Sequence, residues 1–490
     1  MTVARRHVAG ALVAIIAAGC AINPVSGRPE VTLVSEAKER ELGEAEAKRV
    51  AESMGIFDEP ELQAYVRAVG ERLARFSPRP DAHYTFDIVD MEEPNAFALP
   101  GGPVYVSRGL LALTNSEDEL AGVIGHEIGH VAARHAVQRV TAAAPLSVVT
   151  GIGALATGIV SPALGGVVGG LGGMAGALVL APYSREQESE ADRVGQDMVA
   201  AAGWDPAGLS RMLRTLEREE AAHGGERRAT DFFATHPSLP RRVAATEERA
   251  SGLQRAPGTP IAGGAAYLRK LEGLPIGPRA AAGVFEGATF LHPDLDFHVK
   301  FPAEWKTVND RTAVGAIAPD KGSAVVVEVV GEGTDPEIGV RALEKQTGVT
   351  LARVERGSVG GLPTAHATAD ASSRDGRVAL DLTWIAHAGR IFRLTGVTSP
   401  SAAERMRATF AAVAASFGPL TGAERSGISE LRLHVVAARG GETVEQLVAR
   451  TESGWSAAMT AVANGVEEGE ALQAGRPLKV AVRRPYVRKR

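Results

Sequence analysis

His126-Glu127-Ile128-Gly129-His130 is the stretch that decides how this 490-residue chain is interpreted. On an α-helix, positions i and i+4 lie on one face, so His126 and His130 can direct their imidazole rings at one metal ion. Glu127 stands beside the first histidine, where it can act as a base on a water bound to that metal. So short a pattern also occurs by chance, and its meaning therefore depends on the surrounding sequence.

The residues next to the motif predict a capped helix with one buried side. Ser116 is a good N-cap and Glu119 completes a capping-box pattern, so we expect a helix from about 117 to 140. Upstream, residues 95–107 predict two strands around a Pro-Gly-Gly turn. The second of these strands, 104–107, has two interpretations: an edge strand that pairs with extended substrate, or an ordinary sheet strand.

A second acidic segment supplies candidates for a third metal ligand. Glu188-Ser189-Glu190-Ala191-Asp192 follows another capping-box pattern and lies on a predicted helix. Glu188 and Asp192 are four residues apart and share a face, whereas Glu190 points elsewhere. His135 is excluded as a ligand, because it follows His126 by nine residues and falls about half a turn off the ligand face, which predicts a surface residue.

Together the two segments resemble the M48 zinc metallopeptidases, over roughly residues 35–250. The resemblance implies a mainly helical, zincin-like (gluzincin) domain with a small sheet, and one Zn²⁺ per chain. It implies that Glu188 is the third ligand, after His126 and His130, and that Glu127 is the catalytic base. Asp192 is expected to accept a hydrogen bond from a ligand histidine, with a surface salt bridge as the alternative.

Thr235-His236-Pro237 resembles an element of the periplasmic branch of that family. There the histidine approaches the zinc, either as a donor to the oxyanion or as a fourth ligand that blocks water. We therefore expect His236 to act in the site, with capping of a helix as its alternative role. Arg242 is expected to support His236.

The N-terminus resembles a bacterial export signal with a lipid attachment site. An apolar run over residues 8–18 is too short to span a bilayer but suits a signal peptide covering residues 1–19. It ends in Ala17-Ala18-Gly19-Cys20, which resembles a lipobox, although Ala17 stands where Leu is more common. We expect a lipid anchor on Cys20, a tether over 20–35 and a place on the periplasmic face of the outer membrane. The alternative is a cleaved signal and a chance cysteine.

An uncharged, glycine-rich stretch runs from about 140 to 184. Its length alone would allow a membrane hairpin, but glycine and proline are scattered through it. The favoured prediction is a set of short helices and loops that forms a lid over the site.

The rest of the chain predicts further units after a peptidase domain over 36–253. Residues 254–284 are rich in proline and glycine and predict a linker, and residues 285–420 alternate as strands and helices in an α+β domain that faintly resembles PsbP. Residues 426–490 resemble a degenerate LysM module with a basic tail, which implies binding to peptidoglycan. The overall fold class is α+β.

The combined prediction is a zinc-dependent metalloendopeptidase that cleaves misfolded or stalled proteins of the cell envelope. The quality-control role comes from the family resemblance alone. The net charge of −5 argues against nucleic acid as a partner. The alternatives are a chaperone-like scaffold whose protease site is gated by His236, and a cell-wall-binding protein dominated by its C-terminal units.

Overall fold

The computed structural model describes residues 20–32, 34–139, 141, 182–222, 232–237, 240–258, 260–347, 351–373 and 376–488. The described residues form two compact units. The first contains those of Met1–Val149, Ala175–Gly277 and Leu431–Arg483, and the second those of Pro278–Glu430 and Arg484–Arg490. Helices and sheets are mixed along the chain, so the fold class is α+β, as predicted.

In chain order, the helices are α1 (Glu36–Ser53), α2 (Pro60–Ala74), α3 (Arg108–Leu113), α4 (Glu117–Ala132), α5 (Arg185–Ala201), α6 (Gly208–Ala222), α7 (Phe232–Thr235), α8 (Pro240–Gly252), α9 (Ala265–Lys270), α10 (Glu337–Thr347), α11 (Ala403–Ala415), α12 (Gly422–Gly427), α13 (Val444–Thr451) and α14 (Ala457–Asn464), with 3-10 turns at Ala280–Ala282 and Pro400–Ala402.

The strands follow in the same order. They are β1 (Cys20–Ile22), β2 (Pro29–Val31), β3 (Thr85–Val89), β4 (Ala96–Ala98), β5 (Pro103–Ser107), β6 (Pro275–Ile276), β7 (Val284–Glu286), β8 (Thr289–His292), β9 (Phe297–Lys300), β10 (Lys306–Asn309), β11 (Ala313–Ile317), β12 (Ser323–Glu332), β13 (Ala352–Val359), β14 (Leu362–Ser373), β15 (Gly376–His387), β16 (Arg390–Thr398), β17 (Ser429–Ala437) and β18 (Pro477–Pro485).

In the first unit, helices pack around a three-stranded sheet of order β3-β5-β4. β5 is parallel to β3 and antiparallel to β4, with Ala96 opposite Val106. The interpretation of residues 104–107 as an edge strand is therefore wrong, because β5 has a partner on both sides. Among the described residues, β4 is paired on one side only.

The motif helix α4 begins as predicted but ends early, at Ala132 instead of about 140. The Ser116 hydroxyl caps it by accepting from the Glu119 N–H, while the Glu119 carboxylate accepts from the N–H of Asn115. Two residues after the end of α4, Arg134 adopts a φ of +57°. The Arg134 guanidinium donates to the buried Glu39 carboxylate at 2.9 Å, which holds this turn against α1. The chain after α4 consequently leaves the helix axis.

Residues 262–274, part of the segment predicted as a linker, contribute side chains to the core of the first unit. Within it, α9 contributes Tyr267 and Leu268, and the following turn contributes Leu271; all three are buried in the cluster that holds the apolar side of α4. Proline and glycine are frequent in this stretch, but several of its apolar side chains are buried in the core. The stretch therefore forms short, packed elements in place of an extended connection.

The C-terminal residues 431–483 group with the first unit. β17 pairs with β6 and with β18 in one sheet, and the chain order is β17, α13, α14, β18. Lys479 is fully buried and donates its ammonium to the carbonyls of Ala112 and Thr114, at 2.9 and 2.7 Å. These carbonyls lie at the end of α3, just before the motif helix.

The second unit is built on a seven-stranded antiparallel sheet of order β10-β11-β12-β16-β15-β14-β13. The rings of Phe297, Phe392 and Phe417 pack together in its core, with centroids 5.0–5.1 Å apart. Residues 285–420 contain both strands and helices, as the sequence predicted.

Two predictions concern residues outside the described part of the chain: the signal peptide (1–19) and nearly all of the glycine-rich stretch (140 and 142–181). Cys20 begins β1, which pairs with β2 around a turn, in the segment predicted as a tether. Within the described ranges, none of the helices combines the length and the apolar character needed to span a bilayer.

Candidate metal centre

Four side chains from three parts of the chain meet in the interior of the first unit. One ligand-type atom from each of His126, His130, Glu188 and His236 lies within 4.8 Å of the other three. The Nε2 atoms of His126 and His130 are 3.0 Å apart, and the Nδ1 of His236 is 3.0 Å from Oε1 of Glu188. All four side chains are at most 2% exposed.

Glycines bring the two ligand-bearing helices together. α4 carries both motif histidines on one face, and α5, opened by the predicted Ser184–Gln187 capping box, carries Glu188. A β-carbon on Gly195 would lie 2.8 Å from the backbone of Gly125, and one on Gly129 would lie 2.8 Å from the carbonyl of Ala191. Backbones this close leave Glu188 within reach of both histidines.

His236 enters the cluster from the end of α7. Its N–H donates to the carbonyl of Phe232 at 2.8 Å, and the Phe232 ring stacks on its imidazole at a centroid distance of 4.4 Å. Its Nε2 is 3.5 Å from Oε1 of Glu127. The alternative, in which His236 only caps a helix, does not fit a ring pointing into the cluster.

Asp192 and Arg242 contact the candidate ligands His126 and Glu188 and hold them in place. The Nδ1 of His126 is 2.8 Å from Oδ1 of Asp192, the contact expected for a carboxylate that orients a ligand histidine. The buried Arg242 guanidinium donates to both oxygens of Asp192, at 2.6 and 2.7 Å, and lies 2.5 Å from Oε2 of Glu188. Arg242 therefore holds Glu188 and Asp192 of α5, whereas the sequence suggested that it would support His236.

The charges of the cluster fit a divalent cation. Glu127, Glu188 and Asp192 are buried carboxylates, and Arg242 is the guanidinium between them. With ionised carboxylates and the neutral imidazoles that metal ligation requires, the described groups carry a net charge of −2. Uncompensated buried charge is strongly unfavourable, so a dication among these ligand atoms would stabilise them.

The buried carboxylate of Glu127 has two oxygens that are free to accept hydrogen bonds. Neither oxygen of its fully buried carboxylate accepts a hydrogen bond from a described protein group. Burial raises its pKa, although His236 and His126 act in the opposite direction. A buried carboxylate without protein donors has unused acceptor capacity for a water or a substrate N–H.

The pKa of Glu188 moves in the opposite direction to that of Glu127. Burial alone would raise the pKa of Glu188, but His236 and Arg242 outweigh it and hold the pKa well below its ordinary value. Burial lowers the pKa of His130 well below the ordinary range of histidine. Glu188 is therefore ionised and His130 neutral, the forms in which both bind metals.

Sequence reasoning missed two residues that touch His130. Tyr183 is buried and stacks on the His130 ring at a centroid distance of 3.8 Å. The prediction that His135 is a surface residue is wrong: it is 1% exposed, and its Nδ1 lies 2.9 Å from Nδ1 of His130. The helical extrapolation failed because α4 ends before His135. The position of Tyr183 directly before the capping box was the one available signal for that residue.

Comparisons with known proteins agree with this geometry. Residues 60–250 match the family model "Peptidase family M48". The chain is 31% identical over 229 residues to "Mitochondrial metalloendopeptidase OMA1" of Schizosaccharomyces pombe, covering 46% of this chain and 65% of that protein. It is 28% identical over 234 residues to "Beta-barrel assembly-enhancing protease" of Escherichia coli K12, covering 47% of each.

The similarity is confined to part of each protein, since the chain spans about half to two thirds of the length of these two relatives. Among solved structures, cyanobacterial PsbP from Synechocystis aligns with 28% of this chain and 95% of its own length, at 13% identity and a TM-score of 0.24.

Proposed function

Residues 60–250 of this chain match the model of peptidase family M48, and on that premise we propose that the protein is a zinc-dependent endopeptidase of the zincin-like (gluzincin) type. The observation that carries the proposal is the buried set His126, His130, Glu188 with Glu127 beside it. Two histidines and a carboxylate are the ligands typical of catalytic zinc in peptidases.

The chain's own residues then have distinct tasks. Zinc, when bound, supplies a Lewis acid and lowers the pKa of water. Glu127 accepts a proton from the attacking water and returns one to the leaving amine, a role that suits its raised pKa and its free acceptor oxygens. Asp192 keeps a proton on Nδ1 of His126, which leaves Nε2 of that ring available as a ligand atom.

His236 controls whether this chemistry can start. Its Nδ1 lies 3.0 Å from the Glu188 carboxylate and 3.3 Å from Nε2 of His126, so it belongs among the ligand atoms. As a fourth ligand it would take the place that water needs. Displaced from that place, it could donate to the oxyanion that forms on the substrate carbonyl. We therefore propose that His236 gates the site.

Peptide substrate would bind along β4. An extended peptide adds to a sheet through the unpaired side of an edge strand, and β4 is paired only with β5 among the described residues. β4 precedes α4 in the chain and packs close to it. Backbone pairing of this kind would accept many sequences, which suits an enzyme that acts on misfolded proteins.

The proposed cellular setting is the periplasmic face of the outer membrane. One relative is named a β-barrel assembly-enhancing protease, and the sequence up to Cys20 resembles a lipoprotein signal. A lipid anchor there would hold the enzyme beside its substrates, misfolded or stalled envelope proteins.

A second candidate function is binding to the cell wall through the C-terminal residues. Its support is the order β17, α13, α14, β18, a small βααβ unit in the segment that resembles a LysM module. Binding of the full chain to purified peptidoglycan sacculi, with loss of binding when soluble peptidoglycan fragments are added, would favour it. No binding by the full chain would reject it.

The central test is Glu127→Gln. Because the amide cannot accept the proton, the variant should cleave casein far more slowly than the parent while holding the same zinc by elemental analysis. Glu44→Gln, on the exposed side of α1, is the matched control and should cleave normally. Equal cleavage by Glu127→Gln and the parent would refute the mechanism.

Glu188→Ala tests the ligand set. This variant should contain less zinc than the parent, because one of three ligands is lost. An unchanged zinc content would remove Glu188 from the metal site.

His236→Ala tests the gate. Higher casein cleavage than the parent would indicate a blocking ligand, and lower cleavage would indicate a donor to the transition state. Cleavage at the parental rate would exclude both roles.

Cys20→Ser tests the anchor. The parent should incorporate radioactive palmitate and the variant should not. Equal labelling of both would end the lipoprotein proposal.

A further inference from the structure

His135 lies in the interior next to the metal cluster but outside its set of ligand atoms. Its Nδ1 is 2.9 Å from Nδ1 of His130, on the side of the His130 ring that faces away from His126. Its Nε2 is 3.1 Å from Oε2 of Glu190, a carboxylate that is 24% exposed. The three side chains form a row that runs from the cluster to the surface.

The direction of each hydrogen bond in this row follows from the ligand role of His130. A ligand nitrogen must be unprotonated, so when Nε2 of His130 binds metal, its single proton resides on Nδ1. That N–H needs an acceptor, and Nδ1 of His135 is the ring nitrogen within reach. The proton of His135 then resides on its Nε2, where it is donated to Glu190. Each of the three groups has one consistent protonation state.

We propose that His135 is a positioning residue that sets the tautomer and ring orientation of His130, and that Glu190 in turn orients His135. The inference rests on the proposed function, since it assigns a task to residues behind the same metal site. It goes beyond that function because it gives His135 and Glu190 the part that Asp192 has for His126.

The two ligand histidines are thereby braced in different ways. His126 donates directly to a carboxylate that is buried and held by Arg242. His130 donates to the neutral imidazole of His135. That ring in turn donates to Glu190, a carboxylate that is partly exposed to solvent. Tyr183 stacks on the face of the His130 ring and limits its tilt, whereas the bond to His135 limits its rotation in the plane. Loss of His135 would leave that rotation unrestrained and one buried N–H without an acceptor.

The fold explains how His135 reaches this place. Continued as a helix, α4 would direct residue 135 away from the cluster. Arg134 adopts a positive φ after the end of α4, and its guanidinium is held by Glu39. This turn returns the chain toward α5, where Glu190 stands between Glu188 and Asp192. Within the segment 188–192, Glu188 is a candidate ligand itself, whereas Asp192 contacts the ligand His126 and Glu190 contacts His135.

The test is the zinc affinity of the full chain, measured by competition with a chromogenic chelator. His135→Leu removes the acceptor and should weaken zinc binding by about 10–100-fold, the usual effect of losing a group that orients a ligand. His135→Asn places an amide oxygen close to the position of Nδ1 and should recover most of the affinity. Zinc binding at parental strength in His135→Leu, or equal weakness in the Leu and Asn variants, would overturn the proposal.

A second pair of variants covers the case in which His135→Leu does not fold. Glu190→Ala should weaken zinc binding, whereas Glu186→Ala, an exposed position one turn earlier on α5, should not. Equal affinity in these two variants would also overturn the proposal. Cooperative unfolding of the metal-free His135→Asn and Glu190→Ala variants would show that they are folded, so that a change in zinc affinity reports on the metal site.

These outcomes are separable from failure of the proposed function. If the parent binds zinc but cleaves no casein, the peptidase proposal fails while the comparison of affinities still decides the role of His135. If the parent binds no zinc, both proposals fail.

Discussion

Gly195 sets the distance between α4, which carries His126 and His130, and α5, which carries Glu188. We therefore predict that Gly195→Ala damages the metal site although residue 195 touches no ligand atom of it. The added β-carbon would lie 2.8 Å from the carbonyl carbon of Gly125 and 2.8 Å from the nitrogen of His126. Both neighbours are backbone atoms of a helix, so neither can rotate away as a side chain could.

The magnitude follows from these distances. Ordinary contact begins at 3.4 Å, so the helices would have to separate by about 0.6 Å. Overpacking of this kind costs about 1–3 kcal/mol. For a unit of this size each kcal/mol lowers the unfolding temperature by about 2–4 °C. Metal–ligand distances tolerate about 0.2 Å, so a shift of this size should reduce zinc affinity at least about tenfold.

The assay compares zinc affinity and unfolding temperature in a graded series. Gly125→Ala, whose β-carbon would meet the carbonyl of Gly195 at 3.1 Å, should have a smaller effect than Gly195→Ala. Gly252→Ala, whose β-carbon would have no described atom within 4 Å, is the control at an open helical position and should match the parent. Parental zinc affinity in Gly195→Ala would refute the reasoning that this glycine contact sets the ligand distances.

Three further predictions concern the same unit. Burial lowers the pKa of Lys479 to about 7, with Glu119 acting in the opposite direction, so the folded state releases a proton that the unfolded state keeps up to pH about 10.5. Stability should then rise with pH above 7, by up to about 1.4 kcal/mol per pH unit, and urea titrations at pH 7.5 and 9.5 should show this rise in the parent but not in Lys479→Met; parallel behaviour would contradict it. Glu117 is buried and accepts hydrogen bonds from Tyr65, Trp204 and two backbone N–H groups, so Glu117→Gln should lower the free energy of unfolding by about 1–3 kcal/mol in urea; an unchanged midpoint would contradict this. Removal of zinc with a chelator should lower the unfolding temperature of the parent, because zinc at about 1,000 times its Kd stabilises by about 4 kcal/mol; an equal shift in Glu188→Ala would show that the effect arises elsewhere.

Much of the fold follows from local sequence patterns. α4 and α5 begin at the serines predicted to cap them, and residues 285–420 contain both strands and helices, as the alternating pattern predicted. These signals are local, since a cap or an apolar stripe is defined within a few residues. The linker prediction used composition alone and therefore missed that Tyr267 is buried in the core.

For the site, too, some features follow from local sequence and others only from the fold. Helix geometry places His126 and His130 on one face whatever surrounds them, and it pairs Glu188 with Asp192 on another helix. The structure brings these residues together with His236, which sequence reasoning had included through resemblance. The order of strands, by contrast, is not local, and the sequence could not reveal that β5 is central and that β4 is an outer strand of the described sheet.

The sequence by itself determined the kinds of ligand atom, their spacing and the base beside them, because an HExxH pattern on a helix needs only the helix to be formed. The tertiary structure decided how close the helices come, through Gly195, and which groups stand behind the ligands. His135 reaches His130 because Arg134 turns the chain with a positive φ and Glu39 holds that turn from 95 residues away. Contacts between residues so far apart depend on the packed interior as a whole, and no local periodicity contains them.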